Sequence, residues 1–436
     1  MLNTREDLIR ELDETDRRTR ALLADLNEEQ LAVPYERGIN PPIWELGHAA
    51  FFYEYFLLRE MDDKPARMPG YDDVWDSFEI MHRHRWSPGV VPDKEATLDY
   101  YSRILDEVRA RLAVRELGSY EHYLYRYVIA HQQMHIESLI WARQTLAYPK
   151  PSFAGSAPPA GQAGLRAVAP DDVSVPGGTY LIGMPADSPD YATTGFSFDN
   201  ERPGFSVELE GFEISRSLVS NREFLAFVED GCYSNEGLWS FGGRCWLSEG
   251  AGGSRSRPAY WRQRDGGSWQ SRHFDTWIDL PMEAPVMHVS FWEAEAFCNW
   301  AGRRLPSEPE WEAAARGPGA QSFPWGEAMD PARVDMDSRY LGLAPVGAIP
   351  DGASPFGCLQ MLGTAWEWTS SQFLPYDGFK IDMYHYMSVL QFGDHKVTKG
   401  GSCATCSGLI RNSYRQAYFP GRTDVFSGFR TCAANR

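Results

Sequence analysis

The chain has few cysteines, no long apolar run and no excess of positive charge. Only 7 of its 436 residues are cysteine, all in the second half, and an odd number without paired spacing favours a reducing, cytoplasmic setting over a disulfide framework. No apolar run approaches the roughly 20 residues that cross a bilayer. The formal net charge of -18 would repel nucleic acid and anionic membrane, so neither is expected as a main partner.

The sequence is instead rich in apolar and aromatic side chains. Hydrophobic residues make up 43% of the chain and aromatic residues 14%, which indicates a globular protein rather than a disordered one. At 436 residues the chain is long enough for two or three domains with a sizeable core. The N-terminal stretch MLNTREDLIRELDETDRR is amphipathic and charged, and it lacks the apolar centre of a signal peptide.

Residues 1–147 have the periodicity of amphipathic helices. Apolar residues recur at helical spacing near the N-terminus and again in LDYYSRILDEVRARL. Another helix fits PPIWELGHAAFFYEYFLLRE, whose prolines suit a first turn, and a fourth contains YRYVIAHQQMHIESLIWARQ. Four such helices with short and medium connections predict a four-helix bundle. The recurring apolar positions are Leu8, Leu12, Leu22, Leu23, Leu26, Leu98, Ile104, Leu105, Val108 and Leu112.

The second half of the chain has a different pattern. Residues 148–170 are rich in Pro, Gly, Ala and Ser, which is linker composition. After them, short β-rich runs such as GGTYLIGM and FSVELEGFEIS alternate with glycine-rich loops and brief helices. We therefore expect an α+β multidomain protein, with a helical bundle over 1–147, a linker over 148–170 and a compact, loop-rich α+β domain over 171–436.

Three histidines in the predicted bundle could meet in its interior. His131 and His135 lie four residues apart on one predicted helix, so their imidazoles share a face. A stable metal site needs at least a third ligand, and His48 on the helix WELGHAAFFYEYF can supply it, because facing helices of a bundle pool ligands. The residues thus allow a three-imidazole site for Zn, Fe, Ni or Cu. The alternative is that these histidines only hydrogen-bond to their neighbours.

The two halves together resemble one enzyme family. PPIWELGH followed by HQQMH is similar to the DinB-like bundle of the ergothioneine sulfoxide synthases. VPGGTYLIGM, RRLPSEPEWEAAARG, GTAWEWTSSQF, KGGSCAT and DVFSGFRTCA resemble the formylglycine-generating-enzyme-like (C-type-lectin-like) domain that follows the bundle in that family. The resemblance covers nearly the whole chain. The selenoneine synthases are a sister branch of the ergothioneine sulfoxide synthases.

The resemblance implies a mononuclear non-haem Fe(II) held by His48, His131 and His135. Such enzymes use O2 to join a chalcogen donor to the imidazole C2 of hercynine (trimethylhistidine), and three neutral ligands leave positions on iron for this chemistry. The family also has a tyrosine in its second domain that acts as a proton donor. It corresponds to Tyr384 or, as a second choice, Tyr386, and a phenol is protonated at neutral pH.

The chain departs from the family pattern at three places. Near the C-terminus, RQAYFPGRTD places Gln416, Ala417 and Tyr418 where polar and acidic donor contacts are expected in members that use γ-glutamylcysteine. Met134 stands where many members have a glutamine that contacts hercynine. Members that use γ-glutamylcysteine have an arginine pair after the second helix, whereas Arg83 and Arg85 lie here at a different spacing. His82 and His84, interleaved with them, are expected to belong to a solvated charged loop.

A changed donor pocket beside an unchanged histidine triad indicates a different donor. Without the arginine pair, the carboxylates of γ-glutamylcysteine would lack bidentate partners. A neutral selenosugar instead needs hydroxyl partners, which Asp76, Gln416 and Tyr418 can provide. We therefore expect a selenosugar as co-substrate, with cysteine or γ-glutamylcysteine as the thiol alternatives.

Three other functions fit parts of the sequence. The second domain alone resembles a copper oxidase that makes formylglycine, but Cys403 and Cys406 are displaced from the cysteine positions of that family. A zinc-dependent thiol transferase fits the bundle, and a carbohydrate-binding protein fits the scaffold of the second domain. Dependence on O2 and metal content would separate these functions. The histidines expected to be structural or exposed are His122, His273, His288, His385 and His395.

Overall fold

A computed structural model describes residues 4–155, 172–185, 196–250, 255–385 and 387–434. Within these ranges the chain forms two compact units. One comprises residues 4–153 with Phe196, and the other comprises the remaining described residues. Most of the predicted linker 148–170 lies outside the described residues. No described helix is both long and apolar enough to cross a membrane.

The first unit is a bundle of four main α-helices, as predicted, and two short α-helices, a π-helix and a 3-10 helix lie between them in the chain. In this bundle the helix Pro42–Tyr53 packs against the helices Lys94–Val114 and Ser119–Thr145, and the helix Arg5–Ala24 packs against the same two. The leucines that defined the first predicted helix are buried, with Leu8 and Leu12 at 0% exposure. The helices are α1 (Arg5–Ala24), α2 (Glu28–Leu31), α3 (Pro42–Tyr53), α4 (Asp72–Trp75), α5 (Lys94–Val114) and α6 (Ser119–Thr145).

A charged network that includes the buried carboxylate of Glu54 connects α4 to the C-terminal extension of α3. Beyond Tyr53, α3 continues as a π-helix over Glu54–Arg59, and buried Glu54 accepts hydrogen bonds from Arg59 and Tyr100. Arg59 also forms a bidentate pair with Asp72 at 2.7 and 2.8 Å. Because Asp72 is the first residue of α4, this pair holds the short helix beside α3.

The second unit consists of short strands and helices joined by long loops. Its helices are α7 (Asn221–Glu229), α8 (Phe241–Ser248), α9 (Phe291–Ala301) and α10 (Glu308–Arg316). Its strands are β1 (Asp172–Val175), β2 (Gly178–Ile182), β3 (Phe205–Leu209), β4 (Phe212–Ser215), β5 (Trp261–Gln263), β6 (Trp269–His273), β7 (Thr276–Asp279), β8 (Arg303–Arg304), β9 (Trp366–Gln372), β10 (Lys396–Lys399), β11 (Arg415–Tyr418), β12 (Ser427–Gly428) and β13 (Cys432–Ala433).

The described strands of the second unit pair into four small sheets. The two larger sheets have the strand orders β1-β4-β13-β8 and β11-β10-β9-β12, and the smaller ones are β2-β3 and β5-β6-β7. The pairing is antiparallel except between β12 and β9. Strands of 2 to 7 residues cannot form an extended sandwich, so the predicted loop-rich α+β fold is confirmed.

Buried ion pairs hold the loops of the second unit around its central strands. The guanidinium of Arg430 donates to both carboxylate oxygens of Glu367 at 2.6 and 2.8 Å, and the indole N–H of Trp311 donates to the same carboxylate at 2.8 Å. Lys399 pairs with Glu312 at 2.8 Å, and both side chains are fully buried. A buried charge is tolerated only when it is paired and hydrogen-bonded, so these partners are interdependent parts of the core.

Candidate metal centre

The three predicted histidines meet in the interior of the bundle. His131 and His135 lie one turn apart on α6, and His48 faces them from α3. Their ligand nitrogens all lie within 4.8 Å of one another, and the Nε2 atoms of His131 and His135 are 3.2 Å apart. Two nitrogens that bind one ion at about 2.1 Å are separated by roughly 3.0–3.4 Å. The spacing therefore fits a shared metal ion.

Burial keeps two of these imidazoles neutral. His48 and His131 are 2% and 4% exposed, and desolvation lowers the pKa of each well below its ordinary value, with the nearby His135 adding to the effect. A neutral imidazole presents a lone pair, which is the form that binds a metal. The donor set of three neutral nitrogens suits a transition ion and leaves coordination positions for other ligands.

Hydrogen bonding and ring stacking fix the orientation of His48. Its Nδ1–H donates to the carbonyl oxygen of Trp75 at 2.5 Å, which leaves the Nε2 lone pair for a metal. The ring stacks on Trp44 at a centroid distance of 4.7 Å, and its edge contacts Phe52. Phe52 also stacks on His131 at 3.5 Å. The aromatic side chains thus restrict the rotation of both imidazoles.

A buried carboxylate lies behind His135. Glu45 Oε2 is 3.4 Å from His135 Nδ1, and Glu45 Oε1 accepts hydrogen bonds from Asn40 at 3.0 Å and from Ser138 at 2.7 Å. Metal-binding histidines commonly donate their second ring N–H to such a carboxylate. Sequence reasoning missed Glu45, although an acidic residue one turn before His48 on an otherwise apolar helix was a usable signal.

The two arginines of the predicted donor segment differ in their surroundings. The Arg85 guanidinium lies 3.8 Å from the centroid of the Trp44 ring and donates to Asn40 Oδ1 at 2.6 Å and to the Ser77 carbonyl at 2.9 Å. Arg83 is exposed, with its guanidinium 5.6 Å from the centroid of the Tyr35 ring. Arg85 is therefore directed into the bundle, whereas Arg83 lies at its surface.

The expectation of a solvated loop around these arginines was wrong for His82. Residues His82–Trp86 form a 3-10 helix. His82 Nε2–H donates to the Ile39 carbonyl at 2.8 Å, and the ring packs against Tyr35 and Trp86. Partial burial between these rings lowers the pKa of His82. His84 is exposed, as expected.

The other predicted contacts of the first unit are sequence neighbours of residues at the histidine centre, His135 and Trp75. Met134 directly precedes His135 on α6 and is half-buried. Asp76 follows Trp75, whose carbonyl binds His48, and the Asp76 carboxylate accepts a hydrogen bond from the Phe78 N–H at 3.0 Å. Both residues retain their predicted role as a hypothesis.

The remaining predicted residues belong to the second unit. Gln416 and Tyr418 lie two residues apart on β11, so they share one face of the strand. Tyr418 is buried beneath the Arg422 guanidinium, which is 5.1 Å from the centroid of its ring. Tyr384 is half-buried in a loop, and its alternative, Tyr386, lies outside the described residues.

Neither the cysteines nor the other histidines extend the centre. Cys403 and Cys406 are buried, and none of the seven cysteines, all described, forms a disulfide. Among the described residues, His48, His131 and His135 form the one group of three or more His, Cys, Asp or Glu side chains that could hold a metal ion. The structural or exposed role of His122, His273, His288, His385 and His395 stays a prediction.

The fold and the site define a two-domain protein with a histidine centre suited to a transition metal. The DinB superfamily matches residues 11–139, and the Sulfatase-modifying factor enzyme 1-like domain family matches residues 160–435. The hercynine oxygenase of Mycolicibacterium smegmatis is 35% identical over 442 residues, which cover 98% of each chain. That of Mycobacterium tuberculosis is 36% identical over 421 residues, which cover 94% of each chain.

The chain therefore belongs to the hercynine oxygenase family, and the predicted relationship to the ergothioneine sulfoxide synthases is confirmed. It is an enzyme of the oxidoreductase class. The formylglycine-generating enzyme of Thermomonospora curvata is 32% identical over 299 residues, which cover 60% of this chain and 93% of that enzyme. The family model of the formylglycine-generating type matches residues 160–435, whereas residues 11–139 match the DinB superfamily.

Proposed function

We propose that the protein is an Fe(II)- and O2-dependent enzyme that forms a carbon–selenium bond at the imidazole C2 of hercynine, with a selenosugar as donor. Full-length similarity to hercynine oxygenases supports hercynine and O2 as substrates. The observation that carries the proposal is the buried cluster of His48, His131 and His135. The seven cysteines without disulfides support a cytoplasmic setting.

The reaction replaces the C2–H bond of hercynine by a bond to the chalcogen. The hydrogens of C2 and of the donor leave with one oxygen atom as water, and the second oxygen atom bonds to the chalcogen, so O2 takes up four electrons. When bound, iron supplies the redox chemistry with O2. His48, His131 and His135 would hold the ion, and the aromatic rings stacked on His48 and His131 would limit the access of water to it. In this scheme Tyr384 would donate a proton toward the water that forms and regain one of the two hydrogens released from C2 and the donor. Met134 would contact hercynine.

The surroundings of the two arginines support a neutral donor. A clamp for γ-glutamylcysteine needs two guanidinium groups directed at its carboxylates, but Arg85 already binds Asn40 and Ser77. Arg83 then remains as a single cation at the surface. A selenosugar requires hydrogen-bond partners for its hydroxyls, and we assign this role to Asp76, Gln416 and Tyr418.

Two alternatives follow from the same centre. Family membership fits a thiol donor, cysteine or γ-glutamylcysteine, equally well. Three imidazoles also suit zinc, and a zinc-dependent thiol transferase would work without O2.

Product masses distinguish these functions. Iron-loaded protein is incubated with hercynine, O2 and each donor separately, and then with all donors in competition. We expect the selenosugar adduct to predominate and no product to form without O2. Preferential use of γ-glutamylcysteine would instead assign the protein to the sulfur branch. Turnover of a thiol by zinc-loaded protein without O2 would identify a transferase.

A further inference from the structure

We propose that Arg85 is a positioning residue of the histidine centre, acting through Asn40 and Glu45 on His135, rather than a clamp for the donor. This inference rests on the metal centre of the proposed function and concerns residues of the first unit alone. It assigns to Arg85 a role different from the substrate contact expected from the sequence.

Protein groups already bind both terminal nitrogens of the Arg85 guanidinium. One Nη donates to Asn40 Oδ1 at 2.6 Å and the other to the Ser77 carbonyl at 2.9 Å. The plane of the group lies against Trp44 at 3.8 Å. A planar fork held by two acceptors and one ring has a fixed orientation. Arg85 therefore determines the position of Asn40, the acceptor that connects to the metal centre.

The amide of Asn40 transmits this orientation to Glu45. Because Asn40 Oδ1 accepts from Arg85, its Nδ2 must be the group that donates to Glu45 Oε1, at 3.0 Å. Ser138 donates to the same Oε1 at 2.7 Å. With Oε1 occupied by two donors, the second oxygen of the carboxylate is directed at His135 Nδ1, 3.4 Å away.

The Glu45–His135 contact is well placed to orient a metal ligand. Within the described part of the chain, neither Glu45 Oε2 nor His135 Nδ1 has a hydrogen-bond partner. Both atoms are buried, and a buried donor or acceptor without a partner is unfavourable. A small rotation of the imidazole closes the hydrogen bond, which places the proton on Nδ1 and directs the Nε2 lone pair toward His131.

The test compares Arg85→Met with Arg83→Met, which removes the same charge from the same 3-10 helix. Co(II) serves as the probe, since its visible spectrum reports coordination geometry and competition with a chromophoric chelator reports affinity. We expect Arg85→Met to weaken Co(II) binding by about tenfold or more and to change the spectrum. Arg83→Met should change neither. Unfolding of each metal-free variant is measured in urea, and Asn40→Ala tests the same route if Arg85→Met does not fold.

A double variant tests whether Arg85 acts through Glu45. If it does, Arg85→Met combined with Glu45→Gln should lose no more Co(II) affinity than Glu45→Gln alone. Fully additive losses would overturn this route. Wild-type Co(II) affinity and spectrum in Arg85→Met, with a raised KM for the donor, would make Arg85 a donor contact. Unaltered Co(II) binding in His131→Ala is a separate outcome, since it would remove the metal centre and the proposed function themselves.

Discussion

Substitution of Gly47 by Ala should damage the metal centre without touching any ligand. Gly47 directly precedes His48 on α3, and the indole ring of Trp75 covers it. A Cβ at this position would lie 2.3 Å from Cη2 and Cζ3 of Trp75 and 2.7 Å from its Cε3. Carbon atoms pack at about 3.5–4.0 Å, so the indole ring must retreat by roughly 1.2–1.7 Å. Trp75 is only 1% exposed, so little space is available for this movement.

The effect on metal affinity should exceed the effect on stability. Overpacking a core costs about 1–3 kcal/mol, and replacing a helical glycine by alanine recovers about 1 kcal/mol. The net loss in the free energy of unfolding is therefore about 0–2 kcal/mol. Movement of Trp75, however, displaces the carbonyl that holds His48 Nδ1–H at 2.5 Å. Loss of such a contact lowers metal affinity by about 10- to 100-fold.

Urea unfolding of the metal-free protein and Fe(II) competition with a chromophoric chelator measure the two quantities. Gly118→Ala is the control, because a Cβ there meets no atom within 4 Å. Adding Trp75→Leu to Gly47→Ala removes the indole ring but keeps the carbonyl, and should recover part of the affinity. Wild-type metal affinity in Gly47→Ala would refute the role of the Trp75 carbonyl in orienting His48.

Three further outcomes are expected. The folded-state pKa values of His48 and His131 lie well below the value of about 6.5 in the unfolded chain. Below that pH the unfolded chain therefore binds more protons than the folded one, and the metal-free protein loses stability as pH falls. At about pH 5.5 the loss in the free energy of unfolding reaches up to about 1.4 kcal/mol per histidine. Urea unfolding measures this loss, and an unchanged pH dependence in His131→Phe would show that the histidines are not its cause. Arg430→Met leaves Glu367 charged and buried and should cost about 3–5 kcal/mol in thermal or urea unfolding, whereas a loss below about 1 kcal/mol would show that the pair is dispensable. Tyr384→Phe should retain hercynine binding by calorimetry while product formation falls or is diverted to oxidation of the donor, and an unchanged rate and product would assign the proton to another group.

The local pattern of apolar and polar residues predicted most of the helical bundle and the histidine triad. Helical periodicity places His131 and His135 on one face of α6, whatever the rest of the chain does. The helix α3 is apolar almost all round and 11 of its 12 residues are buried, so His48 lies in the interior. The same reasoning holds for the second unit, where glycine-rich loops between short β-rich runs preclude long strands.

Long-range packing decided which groups surround the triad. The carbonyl of Trp75 reaches His48 because Arg59 and Asp72 hold α4 against α3. This carbonyl belongs to the backbone, so the pattern of side chains along the sequence does not show that it binds His48.

Local period and motif predicted the helices, the face shared by His131 and His135, and the resemblance to the enzyme family, whereas the meeting of His48 with this pair depended on how the helices pack. The tertiary structure alone decided that Arg85 turns inward onto Trp44 and Asn40, while Arg83, two residues earlier, stays at the surface. The physical reason is that a guanidinium binds whatever acceptor and ring the fold brings within reach. Asn40 lies 45 residues before Arg85 along the chain, so a local sequence pattern does not show that these two side chains meet.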